Sequence, residues 1–190
     1  MTSQTQALAD LAAQIRADEV CPELAAAANS LVMGEGDSNA RVIFIGEAPG
    51  RLEDETGRPF VGAAGKILDQ LLDSAGVSRS EVYITSIIKY RPPNNRDPSP
   101  VEKAAFWPYL ERQIEIIDPD YILTLGRHGL SAFLPEAQIR DVHGLVQNVV
   151  VAGRERHIIP QYHPAAAIYN RKLRDILTTD MVEAFKIINQ

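Results

Sequence analysis

Residues 41–65 read RVIFIGEAPGRLEDETGRPFVGAAG. Val42-Ile43-Phe44-Ile45 is a short apolar run, rich in β-branched residues, of the kind that forms a strand buried on both faces. It stops at Gly46, and Glu47-Ala48-Pro49-Gly50 reads as a tight turn at the strand's carboxyl end. Glu53, Asp54 and Glu55 follow, then Gly57-Arg58-Pro59-Phe60, and a helix begins near Ala63. Open α/β sheets bind their ligands just beyond the carboxyl ends of the strands. The acidic loop 47–60 is therefore a site candidate by position; the plainer alternative is a solvated connector.

The rest of the chain continues the alternation. Upstream, Leu8, Leu11, Ala12 and Ile15 form one stripe of an amphipathic helix over residues 4–19, and a short helix over 24–31 runs into a loop at Gly34-Glu35-Gly36. Downstream, Ile67, Leu68, Leu71, Leu72 and Ala75 repeat at helical spacing, with Gly76 at the C-cap. Residues 82–88 predict a second strand, and the loop KYRPPNNRDP follows. Ser99-Pro100 with Glu102 predicts a capped helix whose Val101, Ala105, Leu110, Ile114 and Ile117 face inward. Tyr121 to Leu125 predicts a third strand, and Arg127-His128 opens a short helix. Residues 142–151 and 157–161 predict two strands paired around Gly153, and a last amphipathic helix carries Leu173, Ile176, Leu177, Met181, Phe185 and Ile188. The pattern predicts an α/β fold: a three-layer α/β/α sandwich around a mostly parallel sheet. One domain over 1–190 is expected, with residues 1–33 as a helical segment packed on it.

Composition narrows the function classes. The chain has 190 residues, 45% of them apolar, and a formal net charge of −6, which by itself favours a small-molecule enzyme over a nucleic-acid binder. Its single cysteine, Cys21, excludes an internal disulfide and any metal site built from several thiolates. With no signal-peptide pattern and no span of ~18–20 apolar residues, a cytoplasmic protein is expected. Nothing marks an obligate dimer, so a monomer is expected.

Three loops at carboxyl strand ends carry unusual content: 47–60, 86–97 and 163–167. GEAPG, the following ED, GRPFVG, KYRPPNNRDP and YHPAA occur in that order, and together they resemble the family 4 uracil-DNA glycosylases from Gly34 to about Tyr169. The resemblance implies a DNA repair enzyme that flips uracil from DNA, hydrolyses its N-glycosidic bond and leaves an abasic site. Such chemistry needs a donor to the base oxygen O2, a platform for the ring and a water aimed at C1′. The resemblance makes His163 the donor and Phe60 the stacking platform. Glu47 and Glu53 become the catalytic acids, Glu53 the better placed to orient the water. Gly46, Ala48 and Ser86 line the base site, and Asp54 and Glu55 are left as solvated face. Pro164, Ala165 and Ala166 approach the DNA backbone in the minor groove, and Arg91, Arg96, Arg127 and Arg171 meet phosphates. His128 and His143 are read as structural.

Two positions depart from the family pattern. Ser86 stands where the family has an Asn that reads uracil, so hypoxanthine or xanthine are alternative substrates, and a damaged-DNA-binding module is the alternative outside catalysis. The family also binds a [4Fe–4S] cluster through four cysteines, whereas here Tyr90 and Phe106 take two of those places and at most Cys21 remains. No cofactor and no metal are therefore expected, with Tyr90, Phe106 and Leu24 filling the space. A small-molecule α/β enzyme such as a nucleotide hydrolase finds support only in the acidic charge.

Overall fold

The computed structural model describes residues 3–190. Strand β1 (Glu35–Gly36) precedes β2 (Val42–Gly46), and β3 (Tyr83–Ser86), β4 (Tyr121–Leu125), β5 (Gln147–Val151) and β6 (Arg154–Gln161) complete one sheet of order β1-β3-β2-β4-β6-β5. The inner four strands are parallel, while β1 and β5 join the two edges antiparallel. β2 lies at the centre, and its VIFIG residues are all buried, as a strand covered on both faces requires.

Alternation along the strands sorts the core into two layers. Ile43, Ile45, Ile122 and Ile158 point to one face, where α1 (Ser3–Ala17) contributes Leu8 and Ile15, α2 (Pro22–Ala27) contributes Leu24, and α5 (Pro100–Ile117) contributes Phe106, Leu110 and Ile114. Val42, Phe44, Leu123 and Ile159 point to the other, against Leu68, Leu71 and Leu72 of α4 (Ala63–Ser74) and Leu177, Met181 and Phe185 of α8 (Arg171–Ile188). The result is the α/β/α sandwich the sequence predicts. Helix starts follow local chemistry: Ser99 accepts from Glu102 N–H while Glu102 accepts from Ser99 N–H, closing a capping box at α5.

Several expectations are corrected. Residues 51–56, read as loop, form the short helix α3 (Arg51–Thr56). Its Asp54 is not solvated: it is 1% exposed and accepts from Asn29 N–H, Ser30 N–H and the Asn29 amide. Val101, expected to face inward, is 77% exposed in the first turn of α5. Residues 142–146 are not strand; α6 (Gly126–Ser131) is followed by α7 (Ile139–Val142), and Gly144, at φ 71°, turns the chain into β5. The β5–β6 turn at Ala152-Gly153 has positive φ at both residues, as a tight hairpin needs.

Candidate active site

The carboxyl ends of β2, β3 and β6 open on one cavity of about 430 Å³. Glu47, Ala48, Pro49 and Gly50 come from the turn after β2, Glu53 from α3, Phe60 from the loop before α4, and Ser86 from the end of β3. Asn95, Arg96 and Asp97 arrive on the loop before α5, and His163, Ala165 and Ile168 follow β6. Stretches far apart in sequence thus converge because the strands that deliver them are parallel neighbours.

Phe60 is held with care. Its φ of 49° lies in the left-handed region, which an aromatic residue adopts at a cost of about 1–2 kcal/mol unless its surroundings fix it. Arg79 supplies the fixing, donating to Phe60 O at 3.1 Å and to Pro59 O while itself held by Asp69 at 2.8 Å. Glu53 Oε1 accepts from Val61 N–H at 2.9 Å and Gly62 N–H at 2.8 Å, pinning the next two residues. Gly65 leaves room for the Phe60 carbonyl, since a Cβ there would sit 1.9 Å from that oxygen. Gly46 lies under the ring itself, so its place in the site is to let the aromatic face seat against β2.

His163 stands 5.9 Å from Phe60 between ring centroids. The expected helix after it is a single 3-10 turn, Pro164–Ala167, too short to supply much of a dipole. Its effect is more local: Ala165 N–H donates to His163 Nδ1 at 3.1 Å. A ring nitrogen that accepts carries no proton, so the neutral imidazole holds its hydrogen on Nε2. Burial, and secondarily the neighbouring His128, lower the pKa of His163 and favour this neutral form. Gly126, at φ 83°, allows the approach, because a Cβ there would come within 2.8 Å of His163 Cβ.

Glu47 differs from Glu53 in having a buried oxygen, Oε1, without a hydrogen-bond partner among the described residues. Burial raises its pKa, with Asp97 adding to the rise while Lys103 and Arg127 oppose it. Ser86 is 4% exposed, and its carbonyl accepts from Lys89 Nζ at 2.6 Å. Lys89 is wholly buried and also donates to Thr85 Oγ1 and to Gln113 Oε1, both at 2.7 Å.

Around the rim, the four arginines are not equally free. Arg96 is doubly bonded to Glu102, at 2.8 and 2.6 Å, and holds that carboxyl down at about 2. Arg127 reaches Asp97 at 3.3 Å, Arg91 bonds the Asn95 side chain at 2.7 Å, and Arg171 is exposed at the start of α8. Pro164 is buried, whereas Ala165 and Ala166 are exposed beside the cavity mouth. Sequence reading missed Arg79, Lys89, Asp97, Lys103 and His128; Lys89 and Asp97 lie within a flagged loop, but no local pattern marks the others.

Glu47, Asp97 and His128 offer ligand atoms within 4.8 Å of one another, a spacing compatible with a metal ion. Lys103 Nζ, 3.0 Å from His128 Nδ1, and Arg127 Nε, 3.0 Å from His128 Nε2, instead crowd the imidazole with positive charge, which opposes a cation. An iron–sulfur cluster finds no thiolate set: Cys21 is the one thiol of the chain, and Tyr90 and Phe106 pack edge to face, 6.0 Å apart, in the core with Leu24. These residues do not fit the group.

The family model for the uracil DNA glycosylase superfamily matches residues 33–186. The chain is 49% identical over 157 residues to a type-4 uracil-DNA glycosylase of Sulfurisphaera tokodaii, covering 78% of this chain and 70% of that protein. It is 42% identical over 180 residues to a type-4 uracil-DNA glycosylase of Archaeoglobus fulgidus, covering 92% and 90%. A DNA polymerase of Bacillus phage SP01 is 33% identical over 149 residues, which are 78% of this chain and 16% of the polymerase. Matched from residue 33 to 186 and aligned with relatives over most of their lengths, the chain belongs to the uracil DNA glycosylase superfamily.

Proposed function

We propose that this chain is a monofunctional uracil-DNA glycosylase of base excision repair. The observation that carries the reading is the meeting of Glu47, Phe60, Ser86 and His163, from separate loops, on one cavity large enough for a flipped base. A uracil entering it stacks on Phe60, and such stacking is worth ~1–3 kcal/mol. The N1–C1′ bond then breaks with its electron pair leaving on the base, and water adds at C1′ and gives up a proton. His163 donates Nε2–H to uracil O2, where the negative charge of the departing base spreads. A neutral donor suits this task, because it stabilises the anion without first surrendering its proton.

The two acids divide the remaining work. Glu53 has committed one oxygen to the Val61 and Gly62 amides, and its part is to hold the Phe60 loop. Glu47 keeps an unpartnered oxygen and is the acid that faces the sugar and aims the water. This assignment reverses the order expected from sequence. Arg91, Arg96, Arg127 and Arg171 meet phosphates, with Pro164, Ala165 and Ala166 against the sugar–phosphate backbone. The enzyme works as a cytoplasmic monomer and without an iron–sulfur cluster, Tyr90 and Phe106 packing where ligands would stand. Among the described residues no helix is long and apolar enough to cross a membrane. Protein purified anaerobically with stoichiometric iron and sulfide would refute the cofactor part alone.

Ser86 supports a second reading within the same chemistry. A hydroxyl at the end of β3 reads a base edge less strictly than an amide, so hypoxanthine or xanthine are the alternative bases. The test is alkali cleavage of labelled single strands and duplexes carrying each base after incubation with protein. Uracil excision that disappears in His163→Ala supports the first reading, and excision confined to another base supports the second. DNA binding without excision of any base overturns both in favour of a damaged-DNA-binding module.

A further inference from the structure

Beside the base cavity lies a smaller one of about 330 Å³ that shares Glu47, Asp97 and His163 with it and adds His128. His128 belongs to α6 and meets groups from every neighbouring element: Lys103 of α5, Asp97 of the preceding loop, Glu47 of the turn after β2, and Arg127 beside it. Lys103 Nζ stands 3.0 Å from Nδ1, while Asp97 Oδ2 and Glu47 Oε1 stand 3.2 and 3.5 Å from Nε2. Arg127 Nε also lies 3.0 Å from Nε2. A neutral imidazole has one accepting nitrogen, so it takes a hydrogen bond from Lys103 or from Arg127, not from both. Ionised carboxylates can only accept, and two of them face Nε2. Arg127 Nε–H is one donor aimed at Nε2 against two carboxylate acceptors there, while Lys103 Nζ can only donate to Nδ1. This balance puts the proton on Nε2, with Nδ1 accepting from Lys103.

We propose that His128 is a positioning residue for Glu47: Lys103 fixes its tautomer, and the resulting Nε2–H, shared with Asp97, steers the unpartnered Glu47 Oε1 toward the reacting sugar. The proposal rests on the reading of Glu47 as the water-aiming acid. It explains why a carboxylate oxygen is buried in this fold without a backbone amide to receive it. The donor comes from a side chain that must itself be set by a third group, the logic by which a base is oriented in a catalytic triad. Lowering of the His128 pKa, by burial first and Lys103 next, agrees with a neutral ring.

The test is single-turnover excision of uracil by the full chain, followed through its acidic limb, with DNA affinity measured separately. His128→Leu should slow the single-turnover rate about tenfold, the scale of one hydrogen bond to a charged group, and leave DNA affinity unchanged. Its acidic limb should move to higher pH, because Glu47 loses a contact that favours its charged form while Asp97, Lys103 and Arg127 stay. His128→Gln, whose amide can present an N–H to the same oxygen, should recover most of the rate. Lys103 also faces Glu47 directly, so its loss is read by comparison. Lys103→Met should slow excision in the wild type but much less in His128→Gln, whose amide needs no tautomer lock. This comparison carries the test if His128→Leu melts early or fails to fold. Wild-type rate and limb in these variants, with Glu47→Gln inactive, would overturn the role of His128 and leave the reading of Glu47 standing. Full activity in Glu47→Gln would remove both.

Discussion

The ring of Phe60 occupies the space that a side chain on Gly46 would need: a Cβ built there would lie 2.6 Å from Phe60 Cζ. Gly46 has an ordinary negative φ, so its lack of a side chain serves packing and not backbone conformation. The ring cannot swing aside cheaply, since it is 8% exposed in the core layer and Arg79 holds its backbone in place. Gly46→Ala should therefore displace the platform and slow uracil excision roughly tenfold or more, within the ~1–3 kcal/mol of a base–aromatic stack. In a Phe60→Leu background the same substitution should cost much less, because no rigid ring remains to be moved. Equal losses in the two backgrounds, measured as kcat/KM, would show that Gly46 acts by some other route.

His163 gives a prediction about pH. Burial lowers its folded pKa below the ordinary 6.5, so the neutral Nε2–H donor is present above that lowered value. Protonation of His163 should cost no excision as pH falls past 6.5 and should do so only when its folded pKa is reached, a limb separate from that of Glu47 and absent in His163→Gln. Between the two values the unfolded chain binds more protons than the folded one, so acidification should also erode stability there. The wild type should lose more denaturant resistance across that window than His163→Gln, which has no such proton. A rate limb attributable to His163 at or above 6.5 would contradict the neutral-donor mechanism.

Local order explains what sequence made visible. VIFIG reads as a doubly buried strand because every residue of it is apolar or Gly, and the Ser99–Glu102 box reads as a helix start because both partners lie within one turn. Phe60, Ser86 and His163, read from three separate motifs, line one cavity. What escaped depends on distance in sequence. Asp54 sits among exposed acids and looks solvated, yet its partners, Asn29 and Ser30, lie 25 and 24 residues away. Glu47, Lys103 and His128 meet only because β2, α5 and α6 are folded together, and no spacing along the chain records that meeting. The 142–146 stretch misled for a different reason: it is apolar enough for a strand, but Leu145 and Val146 are exposed and Gly144 breaks the run.

Lys89 should report on the rigidity of the cavity floor. Its three acceptors, Thr85 Oγ1, Ser86 O and Gln113 Oε1, suit the three hydrogens of an ammonium, while burial presses its pKa down from 10.5 to about 7. Lys89→Met removes three hydrogen bonds from a buried polar cluster, of which Gln113 Oε1 keeps only the longer one from Thr85 Oγ1, and should destabilise the protein by about 2 kcal/mol in chemical denaturation near neutral pH. The pH trend has a definite sign. Between about 7 and 10.5 the unfolded chain holds this proton more often than the folded one, so wild-type stability should rise with pH relative to Lys89→Met. A gap between the two proteins that narrows over that interval would mean the buried lysine stays charged.

Ser86 is where base choice should be adjustable. It lies at the end of β3 with Lys89 holding its carbonyl, so the backbone that presents the side chain stays fixed when the side chain changes. Ser86→Asn places an amide that can donate and accept at once, and a paired contact of that kind is worth ~1–3 kcal/mol of discrimination. The ratio of kcat/KM for uracil over hypoxanthine should rise about tenfold or more, and Ser86→Ala should lower uracil excision only modestly, since a single rotatable hydroxyl is lost. If Ser86→Asn leaves the ratio unchanged while remaining active, the base edge is not read from the end of β3. Discrimination would then rest on the fit of the cavity around Phe60 and on the backbone beside Ala48.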